Sequence, residues 1–472
     1  MVSHYSRLFG GPFPGHDETD LRELSAQMKD IPQNRRGRPR LGDLAPSAFV
    51  YLGQFLGHDV TCDETRLEKA SAVPEETENR HIPRLDLQSV YGAGPEKSPD
   101  LYNLSERGAE TFFLGKTTAV PSESIPSSLD DFYRRDGEPM LADDRNDQHL
   151  IISQLHVTFL QFHNRLIDCL KRGLFRDKCS ANETVFARAR RLTTWHYQWI
   201  VRHEFLNWFV LPGVLPDVER HGPRLFKPVL GEQLPSLPIE FTQAAFRFGH
   251  SVVQPQYEIN EWTGLVRLRD LIRKKRSGNP PLAANRVVEW DRFTRSWGAN
   301  ANFAENIDTL ISEDMFDLPA AAMPVSFDGK PPPLPEITLL RGSRIGLPSG
   351  QQACRAIGLE PLRPEQIGFD HEANKFLRKR GLNERTPLWY YILREAELLG
   401  RRRFRGGECL GPLGSRIVGE VLLGVMNSDP QSYLNVAPEW RPLTASFGRV
   451  KEPRRIDSLR NFISFAKDRQ ST

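Results

Sequence analysis

Residues 53–59 read Gly-Gln-Phe-Leu-Gly-His-Asp. Pro46 opens the periodic stretch before them, where proline suits the first turn of a helix, so the spacing predicts a helix through Tyr51 to about His58. On that helix Gln54 and His58 stand four residues apart and project from one face into the same space. Taken alone, a histidine near a helix end reads as a cap or a surface residue. Its meaning depends on what the rest of the chain brings to that face.

Outward from this stretch the pattern stays helical. Leu155, Phe159, Phe162, Leu166 and Leu170 recur at three- or four-residue spacing and predict a helix from about Gln148 to Arg172. A second runs from about Ala181 to Val210, with Ser180 and Glu183 as a capping box and Pro212 as its stop. Further helices are expected over Phe241–Gln254, Leu388–Leu399 and Arg416–Asn427. Gly10–Gly15 and Pro32–Pro39 make residues 1–44 a loop-rich entry, and Pro74–Pro99 reads as irregular. Alternating strand patterns are scarce, so the expected fold class is mainly α.

Composition excludes several classes. Sixty-three basic against sixty acidic residues leave a net charge of +3, so no global field points to nucleic acid. The basic runs at Arg273–Arg276 and Arg401–Arg405 read as solvated surface. No stretch reaches the roughly 18 apolar residues that span a bilayer; Asn207, Pro212 and Pro216 interrupt the most apolar one, Phe205–Pro216. Met1–Gly10 lack the basic start and apolar run of a secretory signal, so a soluble, cytoplasmic protein is the expectation. The five cysteines are scattered with no Cys-x-x-Cys pair, which argues against zinc ribbons and a disulfide framework.

Several further stretches follow residues 53–59 in order. They are Leu85-Asp86-Leu87-Gln88-Ser89-Val90-Tyr91-Gly92, then Ala142-Asp143-Asp144-Arg145-Asn146-Asp147 with Phe162-His163-Asn164-Arg165. Next come Trp195-His196-Tyr197-Gln198-Trp199, Ala245-Phe246-Arg247-Phe248-Gly249-His250-Ser251 and Leu339-Leu340-Arg341-Gly342, and finally Thr386-Pro387-Leu388-Trp389 and Leu413-Gly414-Ser415-Arg416. Together, over about residues 45–445, this ordered set resembles the animal haem peroxidases, as a bacterial-type member of the peroxidase–cyclooxygenase superfamily. The resemblance implies a helical peroxidase domain over residues 45–465, with haem b between central helices. It also implies hydrogen peroxide and a small electron donor as reactants, by way of a ferryl intermediate.

A pocket that activates peroxide needs an electron-donating metal ligand, a proton-transferring base and a fixed positive charge for the leaving oxygen. Carried onto this sequence, the resemblance makes His58 the acid–base, Gln54 its hydrogen-bonding neighbour and Arg145 the cation. His250 would ligate the iron, Arg247 would lie near the haem or substrate edge, and Arg341 would pair a propionate. The remaining histidines get structural readings: His156 and His163 share one helix face about 10 Å apart, too far to ligate one ion together, and His196 and His203 repeat that spacing.

The departures from the family pattern are chemical. Gly57 and Gln148 stand where relatives carry haem-esterifying carboxylates, so the haem is expected to be non-covalent, and His149 replaces a linking methionine. Thr338 stands where an asparagine would bond the ligating histidine. Calcium would fall at Asp59 and Asp86, but Ile82 and Gln88 replace hydroxyl ligands, leaving fewer than the six to eight oxygens that ion prefers; Arg84 lies near in sequence. Two other functions compete. A fatty-acid dioxygenase shares the fold, but Arg247 stands where cyclooxygenases place a radical tyrosine. A haem sensor without turnover would not need Gln54, His58 and Arg145 on one side.

Overall fold

The computed structural model describes residues 3–30, 44–63, 65, 67–70, 73, 76–122, 124–126, 128–175, 182–228, 236–273, 279–295, 297–298, 300–319, 331–448 and 450–468. Helices cover 47 % of the chain and strands 11 %, which makes the fold mainly α. The strands form only short two- and three-stranded patches. Among the described residues no helix is long and apolar enough to cross a membrane.

The core is a stack of aromatic-rich helices. The central one, Leu150–Lys171, buries Leu155, Phe159, Phe162 and Leu166 almost completely, as their spacing requires. It packs against Val185–Ile200 on one side and Leu459–Lys467 on another. Phe162 stacks on Phe462 with ring centroids 3.9 Å apart, and Phe159 lies 4.9 Å from both Phe55 and Phe462. Through Phe55 the helix Ser47–Val60 is fixed to the central helix. Phe159 is 1 % exposed, and truncating such a residue to alanine costs about 3–5 kcal/mol.

Two expected elements differ in the structure. The capping box at Ser180 is not the start of the second long helix: Ser180 lies outside the described residues, and the cap is Thr184, whose hydroxyl accepts the Ala187 N–H at 3.1 Å. The far end of that helix is as expected, before Pro212, but it gets there from Ile200 through a wide turn, Val201–Phe205, into Leu206–Phe209. The helix expected over Phe241–Gln254 is broken. Ile239–Gln243 is helical, Ala244 leaves the helical region (φ −137°, ψ −71°), and Ala245–His250 winds as a tighter 3-10 turn. The Trp389 indole N–H takes the Arg247 carbonyl at 3.1 Å, so a tertiary bond replaces a regular helical one there.

The entry segment is more ordered than its glycines and prolines suggest. Ser3–Ser6 pairs antiparallel with Glu78–Asn79 and parallel with Leu237–Pro238. Asp17 caps the helix Glu18–Gln27, whose Leu21 and Leu24 are buried against the helix Leu334–Arg344. Loop composition hid this helix because only its Asp17 cap and two leucines carry the signal. Pro32–Pro39 lies outside the described residues.

Candidate active site

The helix Ser47–Val60 is buried on nearly all sides, as an apolar run within a helical core must be. Its four exceptions are Gly53, Gln54, Gly57 and His58, which form one stripe at i, i+1, i+4 and i+5. Gly53 lets the helix approach Phe205 closely: a Cβ there would meet the ring at 3.0 Å. Gly57 faces Phe246 of the 3-10 turn, where a Cβ would sit 3.6 Å from the ring. This stripe therefore turns toward the segment that carries His250.

On the stripe His58 is held in one orientation. Its Nδ1–H donates to Asn146 Oδ1 at 2.9 Å; an amide oxygen only accepts, so the lone pair is left on Nε2. Burial first, then the Arg145 charge, pushes the His58 pKa down to about 4. The ring is thus a neutral base at neutral pH, and among the described residues only its Nδ1 is hydrogen-bonded. Gln54, one turn earlier, is exposed on the same stripe.

Arg145 sits beside this base, but most of its donors are already used. Its Nε and one terminal nitrogen bind Asp143, the same nitrogen donates to the His58 carbonyl at 2.8 Å, and the other donates to the Thr61 carbonyl at 2.8 Å. Burial would raise the Asp143 pKa, but Arg145 overrides it and holds the carboxyl well below the usual range. His81 Nε2 lies 3.6 Å from the same carboxylate. The guanidinium therefore braces the end of the His58 helix while keeping its charge in place.

On the other side His250 ends the 3-10 turn Ala245–His250. Burial, then Arg247, pushes its pKa down to about 3, so the ring is neutral as a metal ligand must be. Among the described residues its buried Nδ1 has no hydrogen-bond partner, and no hydrogen bond reaches Nε2. The ring meets Trp389 edge-on at 5.9 Å. Thr338 does not serve Nδ1: its hydroxyl donates to the Leu334 carbonyl of its own helix at 2.9 Å.

Arg341 is 6 % exposed, donating to Asp63 Oδ2 at 3.3 Å and to the Thr65 carbonyl at 2.6 Å. Arg247 donates to Gln243 Oε1 at 2.7 Å and to the Thr242 carbonyl at 3.2 Å. Burial and the neighbouring Arg341 lower its pKa to about 10, with Asp63 opposing them. Two guanidiniums thus share one carboxylate, a positive surplus that suits haem propionates. With the open Nε2 of His250 and the bare stripe facing it, the residues present fit a haem.

The expected calcium positions are occupied by protein groups. The Asp59 carboxylate accepts the backbone N–H groups of Leu87 and Ser89 and the Ser89 hydroxyl. The Gln88 amide donates to the Asp59 and Ile82 carbonyls, taking oxygens a cation would use. Burial and the adjacent Asp86 raise the Asp59 pKa well above the carboxylate range, while burial raises Asp86 to about 6 against the pull of Arg190. Arg84 lies 3.8 Å from Asp429 beside them. Among the described residues no group of three or more metal-ligating side chains gathers.

The other histidines are structural. His163 bonds the Tyr91 hydroxyl at 2.9 Å, His156 packs among Phe55 and Phe132, and His196 bridges the Leu192 carbonyl and the Leu443 N–H. His203 packs against Trp199, the ring centroids 3.9 Å apart and the planes tilted by 34°. His149 caps the central helix through Nδ1 and packs on Tyr51 at 4.7 Å. Sequence reading missed Asn146, Asp143, Asp63 and Trp389 as supports. Asp143 was legible as the cap of the turn that carries Arg145.

The animal haem peroxidase family matches residues 48–367. Mouse thyroid peroxidase is 25 % identical over 395 residues, covering 76 % of this chain, which spans 39 % of that protein's length. Among solved structures, Dictyostelium discoideum peroxidase A superposes with a TM-score of 0.63 at 18 % identity, covering 92 % of this chain and 88 % of that one. A fatty acid alpha-dioxygenase from Arabidopsis thaliana gives 0.55 at 16 % identity, covering 90 % and 73 %. These two similarities show the shared fold. Since the match to the family runs from the helix of His58 past Arg341, the two histidines and their braces are parts of its domain: this chain belongs to the animal haem peroxidase family.

Proposed function

We propose that this chain is a peroxidase that binds haem b non-covalently and uses hydrogen peroxide to oxidise a small donor. The observation that carries the reading is the neutral His58, fixed through Asn146 and flanked by Arg145, on the stripe that faces the His250 segment. When bound, haem supplies the iron that takes peroxide and stores its oxidising equivalents. His250 Nε2 would hold that iron, and Arg341 with Arg247 would meet the propionates. His58 Nε2 is placed to take a proton from one peroxide oxygen and return it to the departing one. Arg145 holds positive charge where the leaving oxygen becomes negative, and Gln54 borders the same space.

The dioxygenase alternative has no tyrosine at the cyclooxygenase radical position, where Arg247 stands, committed to Gln243 and the Thr242 carbonyl, so another tyrosine would have to do that work. Gly57 and Gln148 carry no carboxylate, which favours a non-covalent cofactor. Calcium at Asp59 and Asp86 would have to displace the Gln88 amide. One experiment tests the reading: absorption spectra of the haem-loaded protein before and after one equivalent of hydrogen peroxide, then extraction into acidified organic solvent. The expected results are an immediate peroxide-dependent Soret change that a reducing donor reverses, and haem leaving with the solvent. No change with peroxide refutes a peroxidase; haem retained on the denatured chain refutes non-covalent binding.

A further inference from the structure

The run Arg401-Arg402-Arg403-Phe404-Arg405 joins the helix Leu388–Leu399 to the helix Pro412–Ser428, and its build is specific. The Glu408 carboxylate, on a residue 4 % exposed, accepts four consecutive backbone N–H groups: Arg402 at 2.8 Å, Arg403 at 2.7 Å, Phe404 at 3.1 Å and Arg405 at 2.9 Å. Such a nest fixes the loop from inside, independently of its side chains. These four bonds outweigh burial and lower the Glu408 pKa, so the nest is closed at neutral pH. Gly407, at φ +84°, makes the turn out of it, and its carbonyl accepts the Ile307 N–H at 2.8 Å.

One side chain of the run turns inward: the Arg402 guanidinium lies 4.2 Å over the Trp208 ring. Arg401, Arg403, Phe404 and Arg405 are exposed. Phe404 is 72 % exposed, and Leu399 at the loop's entry is 43 % exposed. Among the described residues no carboxylate side chain pairs with Arg401, Arg403 or Arg405, whereas Arg292, Arg394 and Arg416 are all ion-paired. A stiff loop therefore presents one aromatic ring amid three uncompensated guanidiniums.

We propose that this loop docks the protein peripherally on an anionic lipid surface. Phe404 enters the acyl boundary, and Arg401, Arg403 and Arg405 meet the lipid phosphates. A stable protein partner buries on the order of 800 Å² per side, far more than a five-residue tip offers. Nucleic acid would favour a wider basic face than a chain of net charge +3 with a single apolar tip. A lipid surface needs only a wedge and a few cations.

The test is co-sedimentation of the haem-loaded full chain with vesicles of phosphatidylcholine alone and of an equal mixture with phosphatidylglycerol. Binding is expected to the mixed vesicles only, and to fall as salt rises. Replacing all three arginines (R401Q/R403Q/R405Q) should weaken partitioning roughly 100-fold. Phe404→Ser should weaken it roughly tenfold, both variants keeping the parent melting temperature and Soret band. Equal binding to both vesicle types, binding to neither, or wild-type partitioning by the triple variant overturns the proposal. So does a salt-sensitive complex with a single-stranded oligonucleotide in place of vesicle binding, or a Phe404-dependent dimer. Because none of these readouts needs peroxide, the result stands apart from the peroxidase reading.

Discussion

The two sides of the proposed haem site are built differently. On the side of His58 the base and the cation are both tied to protein: Asn146 holds the ring, and Arg145 bonds Asp143 and the carbonyls of His58 and Thr61. On the side of His250 the ring rests on Trp389, its Nδ1 has no partner, and Thr338 bonds its own helix. A group that moves protons must hold one tautomer and one direction, and only hydrogen bonds specify both. A ligand must chiefly be neutral and close, which burial alone supplies. The contrast suggests an orientation fixed in advance by protein on one side, and completed by the cofactor on the other.

The largest effect expected is at His250. His250→Ala should abolish stable haem binding, measured as haem per chain after gel filtration, because packing alone remains on that side. Full haem content with an unchanged spectrum would remove His250 as the ligand.

Next come His58→Ala and Arg145→Ala, each expected to slow the peroxide-dependent Soret change by at least about 100-fold while haem stays bound. Their effects should not add, since both act on the same bond cleavage. The wild-type rate should also depend on pH with a definite sign. His58 accepts a proton only when neutral, and its pKa lies near 4, so the rate holds from neutral pH downward and falls tenfold per unit below about 4. Stopped-flow mixing at several pH values measures both; a midpoint near the ordinary histidine value of about 6.5 would show the ring is not held as described.

Asn146→Ala sharpens the comparison further. It removes one hydrogen bond that orients the base, and should cost about tenfold in the same rate with little change in haem content. Gln54→Ala should cost less, since Gln54 neither ionises nor holds His58. If Asn146→Ala reacts at the wild-type rate, the ring is oriented by packing rather than by that bond.

The smallest effect is expected at Thr338→Asn. The longer amide enters the small cavity lined by Gln243, Thr338 and Trp389, next to His250. An acceptor for Nδ1 would strengthen electron donation and raise the iron–histidine stretch slightly in the resonance Raman spectrum of the reduced protein. An unshifted band would place Nδ1 beyond that amide's reach.

Much of this was legible in the chain itself. The periodicities of Leu150–Lys171 and Leu388–Leu399 were readable because their apolar faces fill a core, and helical spacing follows directly from that burial. Gln54 and His58 share a face because four residues make about one turn. The ordered motifs singled out His58, Arg145, His250 and Arg341, and the structure sets Arg145 against the His58 carbonyl and packs the helix of His58 on the turn of His250. Local pattern could not show the break at Ala244, or that the Trp389 indole N–H donates to the Arg247 carbonyl 142 positions away in the turn that follows. Nor could it show that Asn146 orients His58 across 88 residues, that Asp63 pairs Arg341 across 278, or that Glu408 gathers four N–H groups under the exposed Phe404. Those contacts join groups whose own sequence neighbourhoods carry no trace of each other. Only the folded packing, which brings distant donors and acceptors into one desolvated space where each must find a partner, decided them.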